Sequence, residues 1–188
     1  MSVTTMARGW SGATVLASQS SRAGSPPQVA RRQPEPDADR PGGPCLMETV
    51  TDRIDRIVDE FADLDGREKL ELLIDFANRL PPLPAPYQAL KEQDAGRVHE
   101  CQTPVFLWPE ISSGGMTLIA SVAEEAPTVK GFVSMLAEAV ADRPQAEAGD
   151  LPDDLLERIG LTEVLGMMRS RGLQAITGRV RRELAAAG

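Results

Sequence analysis

Two apolar runs joined by a turn limit most how this chain can fold. Residues 104–108 read PVFLW without interruption, residues 112–115 read SSGG, and Met116, Leu118, Ile119 and Val122 follow. Two short β-rich runs about a Ser/Gly turn predict an antiparallel hairpin, with Val98 just upstream as a further strand residue. A run as continuously apolar as PVFLW needs cover on both faces, so helices must pack on the small sheet.

Helical periodicity supplies that cover. Val50, Ile54, Ile57, Val58 and Phe61 recur at helical spacing, with Thr51, Asp52 and Asp55 near the favourable N-terminal end. Asp65-Gly66 breaks the pattern. Leu70, Leu73, Ile74, Ala77 and Leu80 restart it, and the two segments predict an antiparallel helical hairpin. PPLPAPY then reads as an extended surface segment anchored by Leu83 and Tyr87. Beyond the strands, Pro127 suits a first helical turn, and Val129, Phe132, Val133, Leu136 and Val140 form the stripe of a further helix. A short helix is expected over residues 151–159 with Gly160 as its stop, Thr162 as the cap of another, and a last helix starting near Ser170. The fold class that follows is α+β, a single compact domain with a small antiparallel sheet packed by helices.

Residues 1–46 have a different texture. They carry five arginines against three acids and are rich in Ser, Pro, Gly and Ala, whereas the remaining residues carry fifteen basic and twenty-five acidic side chains. Such a segment lacks the apolar periodicity that offsets ordering entropy, so residues 1–46 read as a disordered N-terminal extension and residues 47–188 as the folded domain. Met47 stands directly before the first periodic segment, where an alternative translation start would account for the leader.

Composition narrows the function. A formal charge of −8 and only 4% aromatic residues disfavour nucleic-acid backbones, base stacking and anionic membranes. No run reaches the roughly 18 to 20 apolar residues of a membrane helix. Two cysteines and one histidine are too few for a disulfide framework or a closed zinc site, and a reducing, cytoplasm-like compartment is the default for a free thiol. Cys101, in RVHECQTPVFLW, stands at the entry to the apolar strand, where a thiol is either sheltered against the hydrophobic floor or presented by a loop. Its bland alternative is a small buried residue. His99 is two residues away and on an extended backbone would share its face, which leaves open a cysteine-nucleophile hydrolase using Cys101 and His99. A non-catalytic interaction module is a third reading. Glu124 and Glu125 precede the Pro127 helix, where the dipole favours them, and Arg169 and Arg171 flank Ser170 as solvated charge.

Four segments carry more than periodicity. LIDFANRLPPLP, RVHECQTPVFLW, TVKGF and RSRGL, in this order and at these separations, resemble the SufE family over about residues 48–185. The resemblance implies a fold shared with the IscU scaffolds. It also implies a sulfur acceptor and carrier that takes persulfide sulfur from a cysteine desulfurase, stimulates that enzyme, and passes the sulfur to an iron-sulfur assembly scaffold. On that likeness Cys101 is the acceptor, Glu125, Arg169 and Gly172 contact the partner, and Cys45 lies outside the match. The chain departs from the family pattern at Glu100, where a glycine is usual, at Thr103, usually Ser, and at Phe106, usually Trp. Glu100 puts a charged, less flexible residue beside the thiol. The implied partners are a SufS-type cysteine desulfurase and a SufBCD-type scaffold complex, with a homodimer left open. No cofactor is expected on this chain, since pyridoxal phosphate belongs to the desulfurase. One cysteine and one histidine in the matched region favour a carrier over a cluster-holding scaffold.

Overall fold

A computed structural model describes residues 48–187. The expectations for residues 1–46, Cys45 included, lie outside the described residues. Helix α1 (Val50–Ala62) starts at a reciprocal cap. The Thr49 hydroxyl accepts the Asp52 amide at 3.1 Å while the Asp52 carboxylate accepts the Thr49 amide at 2.8 Å. Helix α2 (Gly66–Arg79) repeats the device with Asp65 and Glu68, so the Asp65-Gly66 break is also a helix start. Buried Val50, Ile54, Ile57 and Phe61 line α1, and Leu73, Phe76 and Ala77 line α2.

Both stripes serve a third helix, α4 (Pro127–Val140), which is buried over most of its surface, including Val129, Phe132, Val133, Met135, Leu136, Ala139 and Val140. The expected α1–α2 hairpin is therefore corrected: the two helices do not pair along their lengths, and each packs on α4 instead. They meet at one point, where the Phe61 and Phe76 rings stack with centroids 6.2 Å apart. The physical reason is that α4 is apolar nearly all round and needs cover from several sides. Gly131 makes the α2 crossing close, since a Cβ there would fall 1.9 Å from the Leu73 carbonyl oxygen.

The hairpin expected from the apolar runs is present as β1 (Val105–Ser112) and β2 (Gly115–Val122), antiparallel, with Val105 opposite Val122 and Ser112 opposite Gly115. The pleat sends Val105, Leu107, Met116, Leu118, Ala120 and Val122 into the core, where α4 covers β2. The other face carries Phe106 and Trp108, whose rings stack at 6.1 Å. That face is covered by α3 (Ala85–Glu92), an element the proline-rich reading missed. Pro84 serves as its N-cap residue and Pro86 lies in its first turn, positions that need no amide hydrogen bond, so PPLPAPY is extended only up to Pro84. Tyr87 tilts against Trp108 at 5.3 Å and donates its hydroxyl proton to Glu110, and Lys91 lies over the Phe106 ring. Leu83 and Tyr87 are both half-buried, as anchors should be.

Downstream, the helix expected over residues 151–159 is present but shorter. A 3₁₀ turn spans Gln145–Asp150, and α5 covers only Leu155–Arg158. Gly160 ends it with a left-handed φ of 66°, as expected of a stop glycine. Gly160 is also the cap residue of α6 (Leu161–Leu165), so Thr162 sits inside that helix and caps nothing. The last helix, α7 (Met167–Ala186), begins before Ser170, whose hydroxyl donates back to the Gly166 carbonyl at 3.0 Å instead of capping. Leu173, Ile176, Val180 and Leu184 bury its stripe, as the spacing predicts. Among the described residues no helix is long and apolar enough to cross a membrane.

Candidate functional site

The site is built from a loop pinched at its neck. Gly96–Val98 run along the free edge of β1: the Leu107 amide donates to Gly96 O at 2.9 Å and the Val98 amide to Val105 O at 2.8 Å. Gly96 has φ of 80°, and a Cβ there would lie 2.7 Å from Trp108 Nε1 and 2.8 Å from Leu107 O, so only glycine lets the segment lie this close. Between the two strand-like ends, residues 99–103 turn back on themselves. Cys101 is at the tip, its amide 3.4 Å from Val98 O, and its side chain is half-buried.

Helix α7 forms the wall behind the thiol. Gly172 faces it so closely that a Cβ would meet Cys101 Sγ at 3.6 Å, which is ordinary contact distance. Arg179, lower on α7, donates to the Arg97 carbonyl at 2.5 Å and pairs with Glu183 at 2.7 Å, tying the neck of the loop to the helix.

Cys101 opens into a hollow of about 580 Å³ that Gln102, Thr103, Met168, Arg169, Arg171 and Gly172 help to line. The structure therefore brings together three of the expected site residues, Cys101, Arg169 and Gly172. It does not bring Glu125 with them. Glu125 lines a different hollow of about 880 Å³, between the Leu80–Leu83 stretch and the end of β2, beside Lys130, which pairs with Glu124 at 2.8 Å. His99 is exposed and lies outside the lining of the Cys101 hollow. Met168 and Arg171 are lining residues the motif reading missed or took as solvated surface. No periodicity marks them, because they belong to the exposed first turns of α7. Among the described residues no group of three or more His, Cys, Asp or Glu side chains gathers as a metal site.

Chemically, this is a single thiol with an apolar floor, a helical wall without a side chain, and guanidinium groups on one side. An anion approaching the thiol meets positive charge there. Glu100, beside the thiol, lines a further hollow of about 570 Å³ with Asp153, Arg181 and Arg182.

Known proteins match both the sequence and the shape. Residues 55–184 match the family model described as SufE, an Fe-S metabolism associated domain. An uncharacterized SufE-like protein of Mycobacterium tuberculosis is 38% identical over 129 residues, 68% of this chain and 88% of that protein. Another from Rhizobium etli is 28% identical over 134 residues, 69% of this chain and 88% of its own length. The solution structure of a hypothetical protein from Thermus thermophilus superposes with a TM-score of 0.60 at 29% identity, covering 72% of this chain and 95% of that one.

Proposed function

This chain belongs to the SufE family, associated with Fe-S metabolism, and on that footing we propose that it is a sulfur acceptor whose working atom is Cys101 Sγ. The observation that carries the reading is the half-buried thiol on a pinched loop, backed by Gly172 at contact distance and opening into its own hollow. A persulfide is readily reduced or oxidised in water, so a carrier needs a cysteine that is sheltered between transfers yet reachable at a loop tip.

In the step proposed, the Cys101 thiolate attacks the outer sulfur of a persulfide on the desulfurase. A new bond forms between Cys101 Sγ and that sulfur, the donor's S–S bond breaks, and the donor cysteine leaves as a thiolate. Sulfur count and electrons balance without an added oxidant or reductant. Clearing the donor cysteine readies that enzyme for another turnover, so acceptor and activator are one role. The chain itself works without a bound cofactor, and the pyridoxal phosphate belongs to the SufS-type desulfurase. A second exchange passes the sulfur to a SufBCD-type scaffold. A reducing cytoplasm suits a thiol that must begin each cycle free.

Intact-protein mass spectrometry under non-reducing conditions tests this. After incubation with a desulfurase and cysteine, the wild type should gain one or more sulfur atoms that a reductant removes. Cys101→Ser should fold and gain none. A wild type that stays unloaded beside an active cognate desulfurase would rule the reading out.

A further inference from the structure

Most arginines on this domain are neutralised locally, with three exceptions. Of the twelve arginines among the described residues, nine sit in ion pairs with carboxylates, from Arg53 with Glu48 to Arg181 with Asp153. The three that pair with no described carboxylate are Arg169, Arg171 and Arg182. All three are exposed, all are on α7, and they line the two hollows that flank Glu100 and Cys101. On a chain with a formal charge of −8, two of these unpaired guanidinium groups share the hollow of the thiol, and the third lines the neighbouring hollow across Glu100.

The first turn of the same helix carries the most exposed large apolar side chains among the described residues. Met167 is 69% exposed and Met168 is 71% exposed, while the next, Ile74, is 41% exposed. Two adjacent methionines held in water at the start of a helix contribute nothing to its packing. Methionine is a flexible, polarizable side chain suited to contact with another protein. Met168 lines the hollow that holds Cys101, so any macromolecule that brings a sulfur atom to that thiol must cover Met168 on the way.

We propose that the first turns of α7 are the docking surface for the sulfur donor. Met167 and Met168 are its apolar anchors, and Arg169 and Arg171, with Arg182 farther along the helix, are a charged rim that selects a partner face with carboxylates around an apolar recess. This rests on the reading of Cys101 as acceptor and adds the specificity of its docking. The rim steers encounter and sets salt dependence, and the methionines hold the complex once water is excluded.

The test compares wild type, Cys101→Ser, Met167→Ser/Met168→Ser and Arg171→Glu against the purified cognate cysteine desulfurase. Binding is read by calorimetry at low and high salt, and loading by the mass gain at Cys101. Thermal melts should coincide, since every altered side chain other than Cys101 is exposed. Cys101→Ser should bind like the wild type. The methionine double variant should bind at least about tenfold more weakly, with a similar loss at both salts, and should still load at saturating desulfurase. Arg171→Glu should weaken binding most at low salt and converge toward the wild type as salt rises. A wild type that loads while the double variant binds within about twofold of it overturns the docking proposal and leaves the acceptor reading standing. A double variant that binds the desulfurase normally but loses self-association assigns the patch to a second copy and likewise overturns the proposal. A wild type that neither binds nor loads removes both.

Discussion

Gly172 is the residue whose absence of a side chain most directly shapes the thiol. It lies inside α7, where glycine is disfavoured against alanine, yet the Cβ it lacks would sit against Cys101 Sγ at 3.6 Å. Gly172→Ala should therefore be accommodated and should stabilise the helix by about 0.5–1 kcal/mol. Gly172→Val should instead crowd the loop tip, and the alkylation rate of Cys101 in the folded protein should rise as the thiol is pushed outward. An unchanged rate would show that the helix wall does not shelter the sulfur. Tyr87 makes a second prediction at this scale. Its hydroxyl is pushed up to about 12 by the hydrogen bond to Glu110, with burial and the carboxylate's charge adding to it. The contact therefore contributes fully below the ordinary tyrosine range and is lost as pH rises toward the shifted value. The chain has one tyrosine, so absorbance titration of the phenolate reads this group alone, and Glu110→Gln should bring its midpoint down.

Among the elements, the α2–α4 crossing bears the closest approach. A Cβ on Gly131 would fall 1.9 Å from a backbone oxygen of α2, a contact no side-chain rotation relieves. Gly131→Ala should cost about 1–3 kcal/mol by urea denaturation, despite alanine's better helix propensity. A neutral result would mean that the crossing is looser than its geometry. The elements legible in the sequence were those with a stripe to bury. Helices α1, α2 and α4 announce themselves through apolar spacing, and the hairpin through two short apolar runs about its Ser/Gly turn. Helix α3 has no buried residue and two prolines at its start, so neither periodicity nor propensity marks it. Only tertiary contact with Trp108 and Phe106 gives it a reason to form. The same holds for α5 and α6, too short to show a period. The last helix begins ahead of the start expected near Ser170 because local sequence does not reveal that the chain turns at Gly166, four residues earlier.

Across the whole molecule, three carboxylates gather at the entry to α1. Glu147, from the 3₁₀ turn, accepts the Val50 amide at 2.9 Å and the Arg143 guanidinium at 2.7 Å, capping a helix from nearly a hundred residues away. Arg143 and then the Val50 amide hold Glu147 below the usual carboxylate range, the Thr49 hydroxyl and amide do so for Asp52, and Arg56 for Glu48. A lowered folded value contributes stability above the ordinary carboxylate range and loses it as pH falls through the lowered one. Acid unfolding should thus begin by loosening α1. Glu147→Gln should lower the urea midpoint at neutral pH, and its difference from the wild type should shrink by about pH 3. The site was legible at the level of motif, which singled out Cys101, Arg169 and Gly172. The methionine pair, the unpaired arginines and the separate hollow around Glu125 were not, because exposure and ion pairing depend on which surfaces the fold places side by side.

Trp108 gives the molecule an optical readout of its own. Among the described residues its buried indole N–H has no hydrogen-bond partner, and its ring lies against Gly96, five residues before the thiol in the chain. Any displacement of the loop's neck would let water reach that N–H and shift the emission to longer wavelength. With Trp10 replaced by Phe, Trp108 would be the one remaining indole, so its colour would follow the neck of the loop in real time, without a label.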